Sequence, residues 1–275
     1  MMYGQVREHV YIYDKYLLSR LDWDVEPLLG LTFGWARKVS AESCLGVSFM
    51  IGLPGGSGMI KDYDWADKGD DEYLLNNVWT HYSAHPNNIE SAFRINLDYI
   101  SRLAEGEGRR LDYLLGIMWQ HLSFEAQGGF YQYPPRSDPQ NLTGLVSSYT
   151  TDIVLPVVGL MYSRSPGDAF AMSSLLKFGI AGFQLAYDQH HLRDIDFFDY
   201  YFLIPYIEAR QSFALAFGNR NAVEFALFAV WYPKTYGSSY IKDLAEQATY
   251  RLRSTGAASS YFLGGEVSMH FSFGD

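Results

Sequence analysis

Two short stretches hold side chains able to move protons. In Asp62-Tyr63-Asp64 the acids are two residues apart, so on extended backbone both carboxylates project to one face. Like charges so close resist joint ionisation unless solvent or a cation relieves them, which makes the pair a proton acceptor or a piece of wet loop. Over a hundred residues later, Asp188-Gln189-His190 repeats the spacing with an imidazole. There the carboxylate can fix the imidazole tautomer and stabilise its charged form. If the two pairs face each other, a water held between an acid and a histidine is the chemistry they offer. The same residues also fit a hydrated rim, and Asp62, Asp64 and His190 together fit a divalent ion as a lesser alternative. His81 and His85 have a helical metal spacing, but Pro86 and the polar context argue against a metal site. Gly55-Gly56-Ser57-Gly58 lacks the following helix that a nucleophilic serine elbow requires.

The elements that must position these groups have a period of two. Phe93, Ile95, Leu97 and Tyr99 alternate with Arg94, Asn96 and Asp98, and Val267, Met269 and Phe271 alternate with Glu266, Ser268 and His270. The runs Leu21-Trp23-Val25, Leu29-Leu31-Phe33-Trp35, Tyr149-Thr151-Ile153-Leu155-Val157 and Val223-Phe225-Leu227-Ala229-Trp231 do the same. Successive strand side chains point to opposite faces, and no helix-period segment competes, so the chain is all-β. A soluble sandwich and a membrane barrel both produce alternation. Three features lean to the barrel, in which apolar residues face lipid and polar ones the lumen. The apolar positions are rich in aromatics, including Tyr99, Trp119, Trp231 and Tyr232 near strand ends. Strand candidates approach the roughly 9–11 residues of a tilted membrane strand. Connections alternate between tight turns (Glu105-Gly106-Glu107-Gly108 and Ser165-Pro166-Gly167-Asp168) and long polar segments, taken as loops near residues 59–87, 130–145, 187–197 and 233–244.

The formal net charge of -10 argues against nucleic acid as a partner and permits a cationic substrate. Cys44 is the only cysteine, so no internal disulfide forms. The segment from Met1 to Tyr13 has no basic region followed by an apolar one, so a signal peptide is absent from this stretch. No domain boundary or fixed repeat interrupts residues 1–275, which read as one domain.

These residues resemble the omptin family, the outer-membrane proteases of Gram-negative bacteria. The likeness runs through Arg7-Glu8-His9-Val10-Tyr11, Ser19-Arg20-Leu21-Asp22-Trp23, Gly55-Gly56 with Asp62-Tyr63-Asp64-Trp65, and Trp79-Thr80 with His85-Pro86. It continues through Ser123-Phe124, Gly128-Gly129-Phe130-Tyr131, Asp188-Gln189-His190, and Gly264 to Phe273. The resemblance implies a monomeric antiparallel transmembrane β-barrel of about ten strands, with long extracellular loops carrying the site. It implies peptide or protein substrates and hydrolysis by an activated water, with no cofactor, metal or acyl-enzyme. Asp62 and His190 would flank the water, Asp188 would orient and charge-stabilise His190, and Asp64 would complete the acidic side.

The departures concern the substrate. The resemblance implies cleavage next to basic residues through an acidic pocket, with Glu8, His81, His85 and Ala186 at substrate-contacting positions. Glu8 keeps an acid, whereas Ala186 and His81 stand where acids are expected. Fewer acids weaken the Coulombic preference for a basic residue, so specificity is expected to be weaker, shifted or broader. The resemblance also implies lipopolysaccharide binding through an aromatic and charged cluster; the matching segment, Ile117, Trp119, His121, lacks that charge pattern, leaving outer-membrane lipid as the expected partner and lipopolysaccharide dependence in doubt. The chain ends Phe273-Gly274-Asp275 rather than on the aromatic residue that serves barrel assembly. The rival reading is a non-proteolytic barrel, an adhesin or structural protein with a drifted pocket.

Overall fold

The structure is a computed structural model that describes residues 1–12, 16–55, 57–65, 79–133, 137–167, 169–217 and 221–271. Alternating side chains give strands throughout: β1 (Met2–Ile12), β2 (Tyr16–Leu28), β3 (Gly30–Lys38), β4 (Ser43–Gly52), β5 (Ser57–Asp64), β6 (His81–Gly106) and β7 (Arg109–Gln127). There follow the short β8 (Phe130–Gln132) and β9 (Gln140–Asn141), then β10 (Leu145–Gly167), β11 (Phe170–His190), β12 (Ile195–Phe217), β13 (Asn221–Asp243) and β14 (Ala248–Phe271). All belong to one antiparallel sheet, and no helix occurs among the described residues.

The sheet closes into a ring. β1 pairs with β2 on one side and β14 on the other, and neighbour-to-neighbour pairing runs from β14 through β13, β12, β11 and β10 to β7. β7 then pairs with β6, which returns through β5 to β2. With β2 and β3 as one interrupted strand, and β4 and β5 as another, the wall has about ten strands. β1 pairs with β14 only up to Gly264, so the rest of β14, like β3, has a partner on one side only among the described residues.

The strands are longer than the sequence suggests. β10, β12 and β13 each have 23 residues and β6 has 26. At about 3.3 Å per residue, 23 residues span roughly 75 Å of chain, more than twice what a tilted membrane crossing uses. The outward faces show where the membrane section lies. Leu31, Phe33, Phe49, Leu97, Ile117, Val158, Phe178, Phe213, Leu227 and Leu263 are exposed on one band, with Trp119 and Trp231 also exposed. Beyond it the outward positions turn polar and pair with each other, as Arg7 with Asp22 at 2.6 Å and Lys61 with Asp24 at 2.9 Å.

Three sequence expectations are corrected here. Residues 59–64, 81–87, 187–190, 195–197 and 233–243 are strand, not loop, because the barrel wall continues past the membrane, where polar side chains suit both faces and hide the period. The β11–β12 connection is only residues 191–194. The loop expected at 130–145 contains β8 and β9. Asp168, residues 66–78 and the Phe273-Gly274-Asp275 end lie outside the described residues.

A further correction concerns the lumen. Tyr149, Thr151, Ile153, Leu155 and Val157 face inward and are buried, as are Leu21, Trp23, Val25 and Tyr232. They join Met118, Leu122, Phe124, Tyr201, Ile204, Tyr206 and Phe262 in a core inside the barrel. Trp23 sits 5.6 Å from Tyr149 and 5.5 Å from Phe124, ring centre to ring centre. Deeper in the lumen, Arg94 pairs with Glu208 and Lys177 with Asp98, each charge satisfied by its partner. This interior gives a rigid floor beneath the groups at the polar end.

Candidate active site

Strand register assembles one wall from β1, β2, β5 and β6. Asp62 lies opposite Leu21 and Ser83, and Asp64 opposite Ser19 and His81. Both carboxylates therefore stand on the lumen face at the polar end of the barrel, beyond the apolar band. The Ser19 hydroxyl donates to Asp62 Oδ1 at 3.1 Å. Burial first, then Asp64, push the Asp62 carboxyl up to about 7, with His190 and Arg193 acting the other way. A carboxyl at that value holds or releases a proton near neutrality.

The facing wall comes from β10, β11 and β12. Here Asp188 Oδ2 contacts His190 Nε2 at 2.7 Å, and the Ser147 hydroxyl donates to Asp188 Oδ1 at 3.1 Å. An ionised carboxylate only accepts, so Nε2–H is the donor and Nδ1 is left as the basic nitrogen. Burial opposes charge on His190, but the charge and hydrogen bond of Asp188, with Asp62 added, raise it above its ordinary value. Phe197 covers the ring at 5.1 Å.

Asp62, Asp64 and His190 line one cleft with Ser83, His81, His85 and Arg193, enclosing about 210 Å³. The structure thus brings the two distant motifs together. Among the described residues, no cluster of ligand type suited to a metal ion occurs.

The other candidate residues fall into place less evenly. His85 is buried and braced: Nδ1 meets the Gly128 carbonyl at 2.5 Å and Nε2 meets the Ser83 hydroxyl at 2.9 Å. Burial lowers its basicity, with the Gly128 carbonyl opposing. The neutral ring donates from Nδ1 and accepts at Nε2, so it fixes Ser83 rather than carrying charge. Gly129, at φ 88°, makes this contact possible, because a Cβ there would lie 2.1 Å from the Ala84 carbonyl oxygen and 2.7 Å from His85 Nδ1. His81 stands at the cleft edge, its ring stacked on Tyr133 at 4.0 Å. Glu8 and Ala186 are buried below the cleft, Glu8 accepting a 2.7 Å hydrogen bond from Trp23 Nε1.

The comparisons with known proteins agree with this architecture. The pattern of the omptin family matches residues 1–263. The chain belongs to the omptin family. The plasminogen activator of Yersinia pestis is 26% identical over 197 residues, which is 70% of this chain and 61% of that relative. This omptin chain therefore spans about 61% of the length of that curated relative. The crystal structure of the outer membrane protease OmpT from Escherichia coli superposes with a TM-score of 0.89 at 18% identity, covering 98% of this chain and 92% of the other. That likeness establishes the fold, a transmembrane β-barrel of outer-membrane type.

Several residues of this omptin went unassigned in the sequence. Ser19, Ser83 and Ser147 brace the acids and His85, and only cross-strand register reveals them. Arg193 was visible beside His190 but gave no sign of its place. The turn holds it through its own N–H to the His190 carbonyl at 3.0 Å, and its guanidinium reaches 3.8 Å from Asp64 at the cleft. Asp199 lies cross-strand from Ala186, outside the residues that line the cleft.

Proposed function

We propose that this omptin is an outer-membrane endopeptidase that hydrolyses peptides or proteins outside the cell, using a water activated between Asp62 and His190. The observation that carries the reading is that Asp62 on β5 and His190 on β11 line one cleft from opposite walls, each affecting the other's proton affinity.

In this mechanism the water oxygen attacks the scissile carbonyl carbon and its proton passes to His190 Nδ1. Asp188, already hydrogen-bonded at Nε2, stabilises the imidazolium that forms. Asp62 and Asp64 hold the water from the other side. The proton then goes to the leaving amine nitrogen as the C–N bond breaks, giving a carboxylate and an amine. The cleft faces the cell exterior on this reading. Support comes from the long strand extensions on its side and the tight Glu107–Gly108 turn at the opposite end.

The test is digestion of a diverse peptide library by refolded protein, with Asp62→Ala and His190→Ala alongside. Cleavage by the parent protein and its loss in both variants is the expected result. Cleavage unchanged in both variants refutes the mechanism, and no cleavage by the folded parent barrel favours a non-proteolytic role.

A further inference from the structure

The hydrolytic step creates a negative charge in a cleft already lined by acids. When water adds to the scissile carbonyl, an electron pair moves onto the carbonyl oxygen and leaves an oxyanion. Asp62 and Asp64 line that cleft and Asp188 stands behind His190, so carboxylates surround the place where the charge forms. The neutral donors beside them already have acceptors. Ser19 donates to Asp62, Ser147 to Asp188 and Ser83 to His85 Nε2. The backbone groups of Asp62, Asp64 and His190 lie in paired strands.

Arg193 is the one Arg or Lys among the described residues lining the cleft. Its backbone is fixed at several points in the short turn between β11 and β12. The His191 N–H donates to the Val146 carbonyl at 3.0 Å, and the Arg193 N–H to the His190 carbonyl at 3.0 Å. The Asp194 carbonyl accepts from the Leu244 N–H at 2.9 Å, and the His191 ring meets the Ser148 hydroxyl at 3.0 Å. The turn therefore holds the arginine close to the base that generates the nucleophile. The guanidinium itself is held loosely. Asp64 approaches it at 3.8 Å, beyond hydrogen-bond distance, and the side chain is 59% exposed. A contact of that length leaves the guanidinium fork able to turn to an incoming oxygen. Its charge lowers the proton affinity of both Asp62 and His190, so it acts on both walls of the cleft.

We infer that Arg193 is a further catalytic residue, whose guanidinium binds the carbonyl oxygen of the scissile bond and stabilises the oxyanion of the tetrahedral intermediate. This rests on the proposed peptidase reading. The fork donates to the oxygen as the electron pair arrives there. When the pair returns to carbon, the C–N bond breaks and the leaving nitrogen takes the proton held at His190 Nδ1. The interaction strengthens as charge develops, so it lowers the barrier more than it tightens substrate binding. Substrate covering the cleft also displaces the water that screens the exposed guanidinium.

The experiment measures kcat and KM on the best library peptide for the parent protein, Arg193→Gln, Arg193→Lys and Arg193→Ala, each shown to fold by a shift in gel mobility on boiling. Rates are taken on the pH plateau of each variant, so the altered proton affinities of Asp62 and His190 do not enter. Arg193→Ala is also assayed with guanidinium chloride below denaturing concentration, against sodium chloride at equal ionic strength. The expected result is a roughly 10- to 100-fold fall in kcat for Arg193→Gln and Arg193→Ala, with KM changed by less than about threefold. Arg193→Lys should lose less, and guanidinium alone should partly restore Arg193→Ala. A fall in kcat under about threefold, a loss carried by KM alone, or a loss relieved by neither lysine nor guanidinium overturns the inference while leaving the peptidase reading standing. Equal restoration by the two salts overturns it as well, because that reports screening rather than a donor in the site. A parent protein that cleaves no library peptide overturns the inference together with the peptidase reading.

Discussion

Asp188→Asn isolates the charge behind His190. In the structure Asp188 Oδ2 sits 2.7 Å from Nε2, and its other oxygen accepts from Ser147, so asparagine can occupy the same space. What disappears is the negative charge that favours the imidazolium. A hydrogen bond to a charged partner contributes about 1.5–3 kcal/mol, and two charges about 4 Å apart at an effective dielectric near 20 attract by about 4 kcal/mol. These describe overlapping parts of one interaction, so a loss of about 3–4 kcal/mol in the transition state is expected. That is roughly a 200- to 800-fold fall in kcat. Because His190 is raised partly by Asp188, its titration should also move to lower pH in the variant. The assay is the pH profile of kcat/KM on the best library peptide, with Ser147→Ala as a milder comparison. A loss under about fivefold with an unmoved profile would refute the assignment of Asp188 as the group that charge-stabilises His190.

Other perturbations have definite signs. Activity should fall on acidification through about pH 7, where Asp62 takes up a proton, and His190, raised above its ordinary value by Asp188 and Asp62, is coupled to that step. Because the folded state raises Asp62 from 3.8 to about 7, it binds that proton more tightly than the unfolded chain, and stability is lost as pH rises across that window. Asp62→Asn should therefore raise the thermal midpoint more at pH 8 than at pH 5, while abolishing cleavage; an equal effect at both values contradicts the buried-acid account. Arg193 lowers the proton affinity of both Asp62 and His190, so Arg193→Ala should move the acidic limb of the activity profile upward. The shift should be modest, because the Arg193 side chain is 59% exposed, and a downward shift would contradict its placement at the cleft. Gly129→Ala places a Cβ against the Ala84 carbonyl at a positive φ, with a cost of about 1–3 kcal/mol, visible as an earlier thermal transition in detergent.

The sequence by itself determined the secondary structure class and the chemical groups. Alternation from Phe93 to Tyr99 and from Val223 to Trp231 can only be two-faced strand, and Asp62/Asp64 and Asp188/His190 are spaced to share a face whatever the sheet does. It did not determine which face. Alternation is symmetric between lumen and lipid, so Tyr149 to Val157 and Tyr232 revealed their inward direction only once the ring closed. Nor could it mark the strand above the membrane, since water on both sides leaves no period to read in residues 81–87 or 233–243.

Tertiary structure alone decided the partnerships. Asp62 faces His190 across one cleft because β5 and β11 stand on opposite walls of a closed barrel, a relation between segments more than a hundred residues apart. Asp199 stands beside Ala186 through hydrogen-bond register between β11 and β12. Residue types set what each carboxyl can do, and the register of a closed sheet sets which charge it faces.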